Sequence, residues 1–406
     1  MNHWFRKKTM SKPLLASIVI NNYNYGRFLR QCIDSALNQS FGNTEVVVVD
    51  DGSTDNSREI ISSYGEYVTP VFQNNQGQAS AFNSGFAQSR GDVIIFLDAD
   101  DMLLPTAVEN ALPFFEDPEV VKVQWPLSII DAQGRLQNRT KPDKVSSMPE
   151  GNLREAVIKQ GPTNYVWPPT SGNAWSRTFL NKILPMDQDK LRLAADNYLF
   201  EAAPFFGLIK TIKSPQSYYR IHVKNYWQTM SFDEKLKFQL RFCNHYFPIL
   251  SQFCKDMGIS VDLSDWLANS WWYRLNRAVQ KIDELIPERE PFVLVDDAIW
   301  GMEVTSFRHP IPFLEKEGKY WGYPTNDEVA IQELERLREA GAKKIVFAWS
   351  AFWWLEHYAQ FYDYLCSNLT CTYQSELIVV FDLKPRIKNQ WLDERVNPAL
   401  DRGISS

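Results

Sequence analysis

The stretch Val93-Ile94-Ile95-Phe96-Leu97-Asp98-Ala99-Asp100-Asp101 changes character in a single step. Five continuous apolar residues, β-branched and aromatic among them, suit a strand covered on both faces. The run then stops in carboxylates. These stand at the C-terminal end of the strand, where open α/β sheets hold their ligands. Asp98 and Asp100 are two apart, and a turn there lets both approach one divalent ion and the phosphates it carries. Hard oxygen donors of this kind suit Mg²⁺ or Mn²⁺. An isolated D-x-D is short and common, and a solvated acidic turn accounts for one equally well. Its upstream company weighs against that account here.

Upstream, strands and helices alternate. A strand is expected over 14–20, ending in the polar loop Asn21-Asn22-Tyr23-Asn24-Tyr25-Gly26. A helix over 27–39 carries Phe28, Cys32, Ile33 and Leu37 at helical spacing. A second apolar strand, 45–49, ends in Asp50-Asp51-Gly52-Ser53, and Thr54 or Asp55 caps the helix that runs to about residue 64. A third strand, 68–72, leads through Asn74-Asn75-Gln76-Gly77-Gln78 into a small-residue helix over 79–89. Short connections between alternating elements predict an α/β fold with a parallel sheet wrapped by helices. Tyr23, Asp50/Asp51 and Asp98/Asp100 all fall at strand C-termini, so they converge on one rim. There is no G-x-G-x-x-G after the first strand and no G-x-x-x-x-G-K-[ST] anywhere, which excludes the usual dinucleotide and P-loop sites.

With 406 residues the chain holds two domains or more, and 44% hydrophobic residues suffice for large cores. A net charge of −6 argues against nucleic acid as a partner. The five cysteines form no C-x-x-C pair and fit free thiols in a reducing setting. Residues 1–12 lack the apolar core of a signal peptide. No stretch approaches the ~18 consecutive apolar residues of a membrane span. The expectation is a cytoplasmic protein whose membrane contact, if any, is peripheral.

Six segments together carry a resemblance. They are Ser17-Ile-Val-Ile-Asn-Asn-Tyr-Asn24, Ser35-Ala-Leu-Asn-Gln39, Glu45-Val-Val-Val-Val-Asp-Asp-Gly-Ser-Thr-Asp55, Asn75-Gln-Gly-Gln-Ala79, Asn83-Ser-Gly85 and Leu97-Asp-Ala-Asp-Asp101 with Pro105. In this order and spacing the chain resembles the family 2 glycosyltransferases, which have a GT-A fold. The match is dense over the first hundred residues or so and thinner to about residue 225. The resemblance implies a nucleotide-sugar donor, UDP-linked for preference, and Mn²⁺ or Mg²⁺. It implies that Tyr23 stacks on the nucleobase and Asp51 accepts its imino proton, with Asp50 and Asn24 beside them and Asn75 and Gly77 in the same donor site. Asp98 then meets the ribose or the metal-bound phosphates, and Asp100 coordinates the metal. The family often has Pro where Asn21 stands and Arg where Phe82 stands; neither change removes a metal ligand.

Further along, Thr170-Ser-Gly-Asn173 with Ala174-Trp-Ser-Arg177 resembles the family segment that re-enters the donor site. Asp196 stands at the spacing of the family's catalytic carboxylate, with Ala195 in place of the usual preceding Glu. An inverting transfer needs a base for the acceptor hydroxyl proton, and Asp196 is the residue implied; a first-turn helix carboxylate is the alternative, and the two are compatible. Tyr219-Arg220-Ile221-His222 resembles the family's Tyr-Arg-x-His ending, with Arg220 toward phosphate and His222 toward the metal or the diphosphate. The processive synthases' Gln-x-x-Arg-Trp is missing, so a single sugar transferred to a carbohydrate or glycoconjugate is expected.

The expected layout is a GT-A domain over 12–225, a helical connector over 226–290, a small α/β domain over 291–386 and a tail over 387–406. One helix is expected from Ser264 through Ile282, another over 352–365, and parallel strands in the small domain. That domain could serve accessory packing or homodimerisation. A binding protein or scaffold that has lost catalysis and works through its C-terminal domain is the alternative function, kept open by Ala195.

Overall fold

The computed structural model describes residues 14–162, 165–223, 225, 230–300 and 310–384. The basic N-terminus and the expected tail over 387–406 lie outside these. The chain divides into two compact units between Arg274 and Leu275.

In the first unit, β1 (Ala16–Asn22), β2 (Thr44–Asp51), β3 (Thr69–Gln73) and β4 (Val93–Asp98) lie parallel, in the order β3-β2-β1-β4. The chain continues through β5 (Met102–Leu103), β6 (Val120–Gln124), β7 (Leu127–Ile130), β8 (Leu136–Lys141), β9 (Asn173–Ser176), β10 (Leu208–Thr211) and β11 (Ser217–Arg220). Beyond β4 the sheet goes on as β9-β6-β10, and β9 runs antiparallel to both of its neighbours. The sheet is therefore mixed rather than wholly parallel. β9 returns after a long excursion and slots between β4 and β6, which the strand–helix alternation of the first hundred residues does not foretell. A second sheet, β5-β11-β7-β8, stands apart from the first.

Alternate side chains of the central strands enter two cores. Ile18, Ile20, Val46, Val48, Ile95 and Leu97 pack with Leu29, Cys32 and Ile33 of helix Gly26–Leu37. Val19, Val47, Val49, Ile94 and Phe96 pack on the other face with Ala79, Ala81 and Phe82 of helix Gln78–Gln88. Burial on both faces is why these strands read as continuous apolar runs. Helix Gln78–Gln88 lies very close to the sheet: a Cβ at Gly85 would sit 2.2 Å from the Val19 side chain.

Helix Phe232–Asp256 starts at a capping box formed by Ser231 and Glu234. It sends Phe242, Cys243, Tyr246, Phe247 and Leu250 into the second of these cores. Burying each large side chain is worth roughly 1.5–3 kcal/mol, so this helix is held as firmly as the sheet. The single helix expected from Ser264 is two, Leu263–Asn269 and Trp271–Leu285. The break falls at Ser270, which is fully buried and extended (ψ 133°), with its hydroxyl near the Cys243 thiol.

The second unit has β12 (Phe292–Val295), β13 (Pro310–Pro312), the short pair β14 (Glu315–Lys316) and β15 (Lys319–Tyr320), β16 (Lys344–Ala348), β17 (Thr370–Gln374) and β18 (Ile378–Asp382). Its main sheet runs β13-β12-β16-β18-β17. β12 is parallel to β13 and β16, but β18 is antiparallel to β16. The sequence reading missed β17, which turns back into β18 within three residues; so short a link allows only antiparallel pairing. The helix expected over 352–365 is split at Tyr358, whose hydroxyl donates to the Pro324 carbonyl oxygen.

In the first unit, Lys122 on β6 is fully buried. Its Nζ lies 3.8 Å from the Trp167 ring centre and 4.8 Å from that of Phe200, with no hydrogen-bond partner among the described residues. Burial pulls its pKa well down, and the Glu201 carboxylate opposes this. The amine's contribution to stability is complete only above the free-lysine pKa of ~10.4 and is lost as pH falls through its folded value. Lys122→Met keeps the apolar stem and removes the amine. In urea denaturation its midpoint is expected at or above that of the parent at neutral pH, with the advantage shrinking toward a pH of about 10.

Candidate active site

The parallel register fixes the rim. Asn21 of β1 pairs with Asp98 of β4, and Asn22 pairs with Asp50 of β2. Each Asn amide uses its position: Asn21 Nδ2 donates to Asp98 Oδ1 at 2.8 Å, and Asn22 Nδ2 to Asp50 Oδ1 at 2.9 Å. The residue that stands where the family often has Pro thus orients the first carboxylate of the D-x-D. The Asp98 N–H donates to Ser171 Oγ on the returning segment.

A cavity of about 400 Å³ opens at this rim, and its lining includes Tyr23, Asp51, Asn75, Gly77, Asp98 and Asp100. Tyr23 is 47% exposed at its edge. Asp51 pins the loop after β3, accepting from Gln76 N at 2.9 Å and Gly77 N at 2.7 Å. Gly77 has φ +89°, and a Cβ there would meet the Arg192 carbonyl oxygen at 2.5 Å. Only glycine brings these two chain segments together without strain.

The acidic cluster is electrostatically tense. Burial, then the charge of Asp100, pushes Asp98 up to about 7, and Asp101 is raised well above the ordinary carboxylate range by the same causes. Asp100 Oδ2 lies 3.0 Å from His222 Nε2, and His222 Nδ1 lies 3.0 Å from Arg27 Nη2. A guanidinium can only donate, so Nδ1 accepts and the ring hydrogen on Nε2 points at Asp100. For His222 to ligate a cation through Nε2, that hydrogen must leave and Arg27 must release Nδ1.

A second cavity, of about 470 Å³, adjoins the first and shares Gln78, Asp98, Leu193 and Tyr219 with it. Asp196 lines it from the first turn of helix Ala195–Ala202. Its carboxylate accepts from Thr170 Oγ1 at 3.0 Å and from Asn197 N at 2.9 Å, and burial raises its pKa. Ala195 is fully buried in the core, and its N–H donates to Gln78 Oε1.

Four expected residues do not line the donor cavity. Asn24, at φ +60°, uses its side-chain oxygen on Thr54 N and its N–H on Ser53 Oγ, and so shapes the loop. Asp50 is fully buried and accepts from Asn22, Ser53 N and Arg58. Arg220 is 1% exposed; it donates to the Asp100 carbonyl and Gln31 and lies over the Phe28 ring. Its guanidinium props the acidic turn from behind, through the Asp100 carbonyl. His222 stands behind the rim, against Asp100, Tyr25 and Asn225.

The sequence reading passed over Tyr25, Gln78, Arg192, Tyr219 and Asn225, all of which line the cavity. Arg192 bonds Asn75 and presents the cationic group that Arg220 does not. Its closeness in sequence to Asp196 was the available signal.

A sheet with acidic strand ends, a returning antiparallel strand and a carboxylate in the first turn of a helix frame a ligand-binding cleft of an α/β domain. Residues 17–177 match the family model described as Glycosyl transferase family 2, and this segment is a family 2 glycosyltransferase domain. An uncharacterized glycosyltransferase of Nostoc sp. is 41% identical over 215 residues, covering 52% of this chain and 65% of that protein. One from Rickettsia prowazekii is 34% identical over 140 residues, covering 34% of this chain and 44% of its own. Each match thus spans less than two thirds of the relative. Among solved structures, S. aureus TarS 1-349 in complex with UDP-GlcNAc aligns with a TM-score of 0.42 at 17% identity, over 67% of this chain and 82% of that one. The mannosyltransferase PcManGT from Pyrobaculum calidifontis in complex with GDP-Man and Mn²⁺ aligns with a TM-score of 0.42 at 16% identity, over 68% and 77%. No helix among the described residues is long and apolar enough to cross a membrane.

Gly77→Ala is expected to lower stability by about 1–3 kcal/mol, read as a fall in the urea midpoint. Gly65→Ala, at φ +54° with nothing near its Cβ, is expected to cost less. Equal losses in the two variants would mean that the Gly77–Arg192 approach carries no constraint.

Proposed function

We propose that this chain transfers a sugar from a nucleotide-diphosphate donor, UDP-linked, to a hydroxyl of a carbohydrate or glycoconjugate, with inversion at the anomeric carbon and with Mn²⁺ or Mg²⁺. One observation carries the reading. Two adjoining cavities share Asp98; one holds the paired carboxylates of the strand end, and the other holds Asp196.

The donor set suits a hard divalent cation. Burial, and then the charge of Asp100, drive Asp98 toward protonation, and a cation would offset both. No group of three His, Cys, Asp or Glu side chains among the described residues is placed to enclose a metal. That fits an ion whose shell is completed by diphosphate and water. Asp98, Asp100 and, once Arg27 lets go, His222 are the residues that would hold it. When bound, it supplies Lewis-acid stabilisation of the departing diphosphate.

The chain's own groups do the rest. Tyr23 offers a ring face at the edge of the donor cavity for the base. Asp51 keeps lone pairs beyond its loop bonds, and Arg192 brings positive charge toward the diphosphate. Asp196 takes the proton of the attacking hydroxyl; Thr170 and Asn197 hold its oxygens in place, and burial keeps it basic. It also stands in the first helical turn and accepts from the Asn197 N–H, so a base and a first-turn carboxylate are compatible in one residue. The Glu that Ala195 replaces would project into a packed core, so its absence leaves the cavity intact.

Asp100→Ala is expected to abolish Mn²⁺-dependent UDP binding in calorimetry. Asp196→Asn is expected to retain UDP affinity and lose transfer by about 10²–10⁴-fold. Normal turnover in either variant would remove the role given to that residue. Because a base works only when ionised, kcat/KM is expected to fall as pH falls through the raised Asp196 pKa, at a pH above the ~3.9 of a free aspartate. A profile flat down to that value would exclude Asp196 as the base.

A further inference from the structure

We infer that the second cavity is a subsite for an uncharged sugar ring, read by Trp167, Glu201, Gln239, Tyr246 and Trp272. The inference rests on the transferase reading for the chemistry done to that ring, but not for the ring's binding.

The walls are a mixture of aromatic faces and buried polar groups. Trp167 donates from Nε1 to Glu201 Oε1 at 3.2 Å, which holds the indole plane and the carboxylate as one unit. Such a unit offers a ring face for stacking and, at its edge, acceptor capacity for a hydroxyl. Tyr246 is fully buried, and its hydroxyl makes no hydrogen bond of ordinary geometry among the described residues, with the Cys243 thiol as a weak neighbour. An unpaired buried hydroxyl costs roughly 1–3 kcal/mol, and a ligand hydroxyl that reaches it recovers that cost. Gln239, only 7% exposed, adds an amide donor and acceptor on the same side.

Charge and polarity narrow the occupant. Among the described residues that line the cavity, Asp98, Asp196 and Glu201 stand against one cation, Lys141. An anionic ring, such as a uronate or a sugar phosphate, would be repelled. An alkyl chain would strip water from Glu201 and Gln239 and give nothing back. A neutral polyhydroxylated ring satisfies both conditions. Gln239 and Tyr246 come from helix Phe232–Asp256 and Trp272 from helix Trp271–Leu285, all beyond residue 177 where the family match ends.

The test is saturation-transfer NMR on the full chain. The probes are methyl α- and β-glycosides of glucose, galactose, mannose and N-acetylglucosamine, with methyl glucuronide and octyl glucoside. Ring protons of at least one neutral glycoside are expected to be saturated. The glucuronide is expected to bind at least ~10-fold more weakly, and Gln239→Ala and Trp272→Ala each to weaken the neutral glycoside by ~10-fold or more. UDP affinity of both variants, measured with Mn²⁺, should stay within about twofold of the parent, which also checks their fold. No saturated glycoside, a preference for the glucuronide, saturation confined to the octyl chain, or variants that bind like the parent would each overturn the inference. Glycoside binding in a protein that binds no UDP would uphold it and discard the transferase reading.

Discussion

The site depends on one register. β1 lies parallel between β2 and β4, with Asn21 level with Asp98 and Asn22 level with Asp50. A slip of one residue would exchange the two faces of the strand, sending Ile18 and Ile20 into the core that receives Val19. It would also take the amides away from the carboxylates they orient. The apolar burial that fixes the fold is therefore what aims the polar end of each strand. The chemistry at the rim is inherited from packing several residues below it.

The same rim concentrates negative charge where solvent is scarce. Asp98, Asp100 and Asp101 stand in three of four consecutive positions, and their mutual repulsion is offset by donors from distant parts of the chain. Asn21 donates to Asp98, His222 and Asn225 to Asp100, and the Arg220 backbone N–H to Asp101. The Arg220 guanidinium grips the Asp100 carbonyl and lies against Phe28. The second sheet, through β11, thus braces the acidic turn of the first.

Across the cleft, the returning segment and the helices after it close the site. Thr170 donates to the Asp196 carboxylate and Ser171 accepts from the Asp98 backbone N–H, so consecutive residues of one turn tie down both the helix start and the end of β4. Helix Phe232–Asp256 shares its core with Trp175, Phe200 and Phe205. The wall of the second cavity is accordingly built from the same packed layer that supports the sheet.

The sequence by itself determined the α/β class, the first four strands, and the carboxylates at their ends. Continuous apolar runs and their polar terminations are local signals, and burial on both faces leaves them little freedom. It also brought Asp98, Asp100 and Asp196 into the candidate site, and they line two adjoining cavities, because motif spacing survives without coordinates. Tertiary structure alone decided the antiparallel place of β9, the hairpin of β17 and β18, and the breaks at Ser270 and Tyr358. These follow from which surfaces meet, not from propensity along the chain. It likewise decided that Arg220 is a brace and Arg192 the exposed cation. A guanidinium's partners are set by what surrounds it in space, and two arginines in suitable motifs look alike until the contacts of each are known.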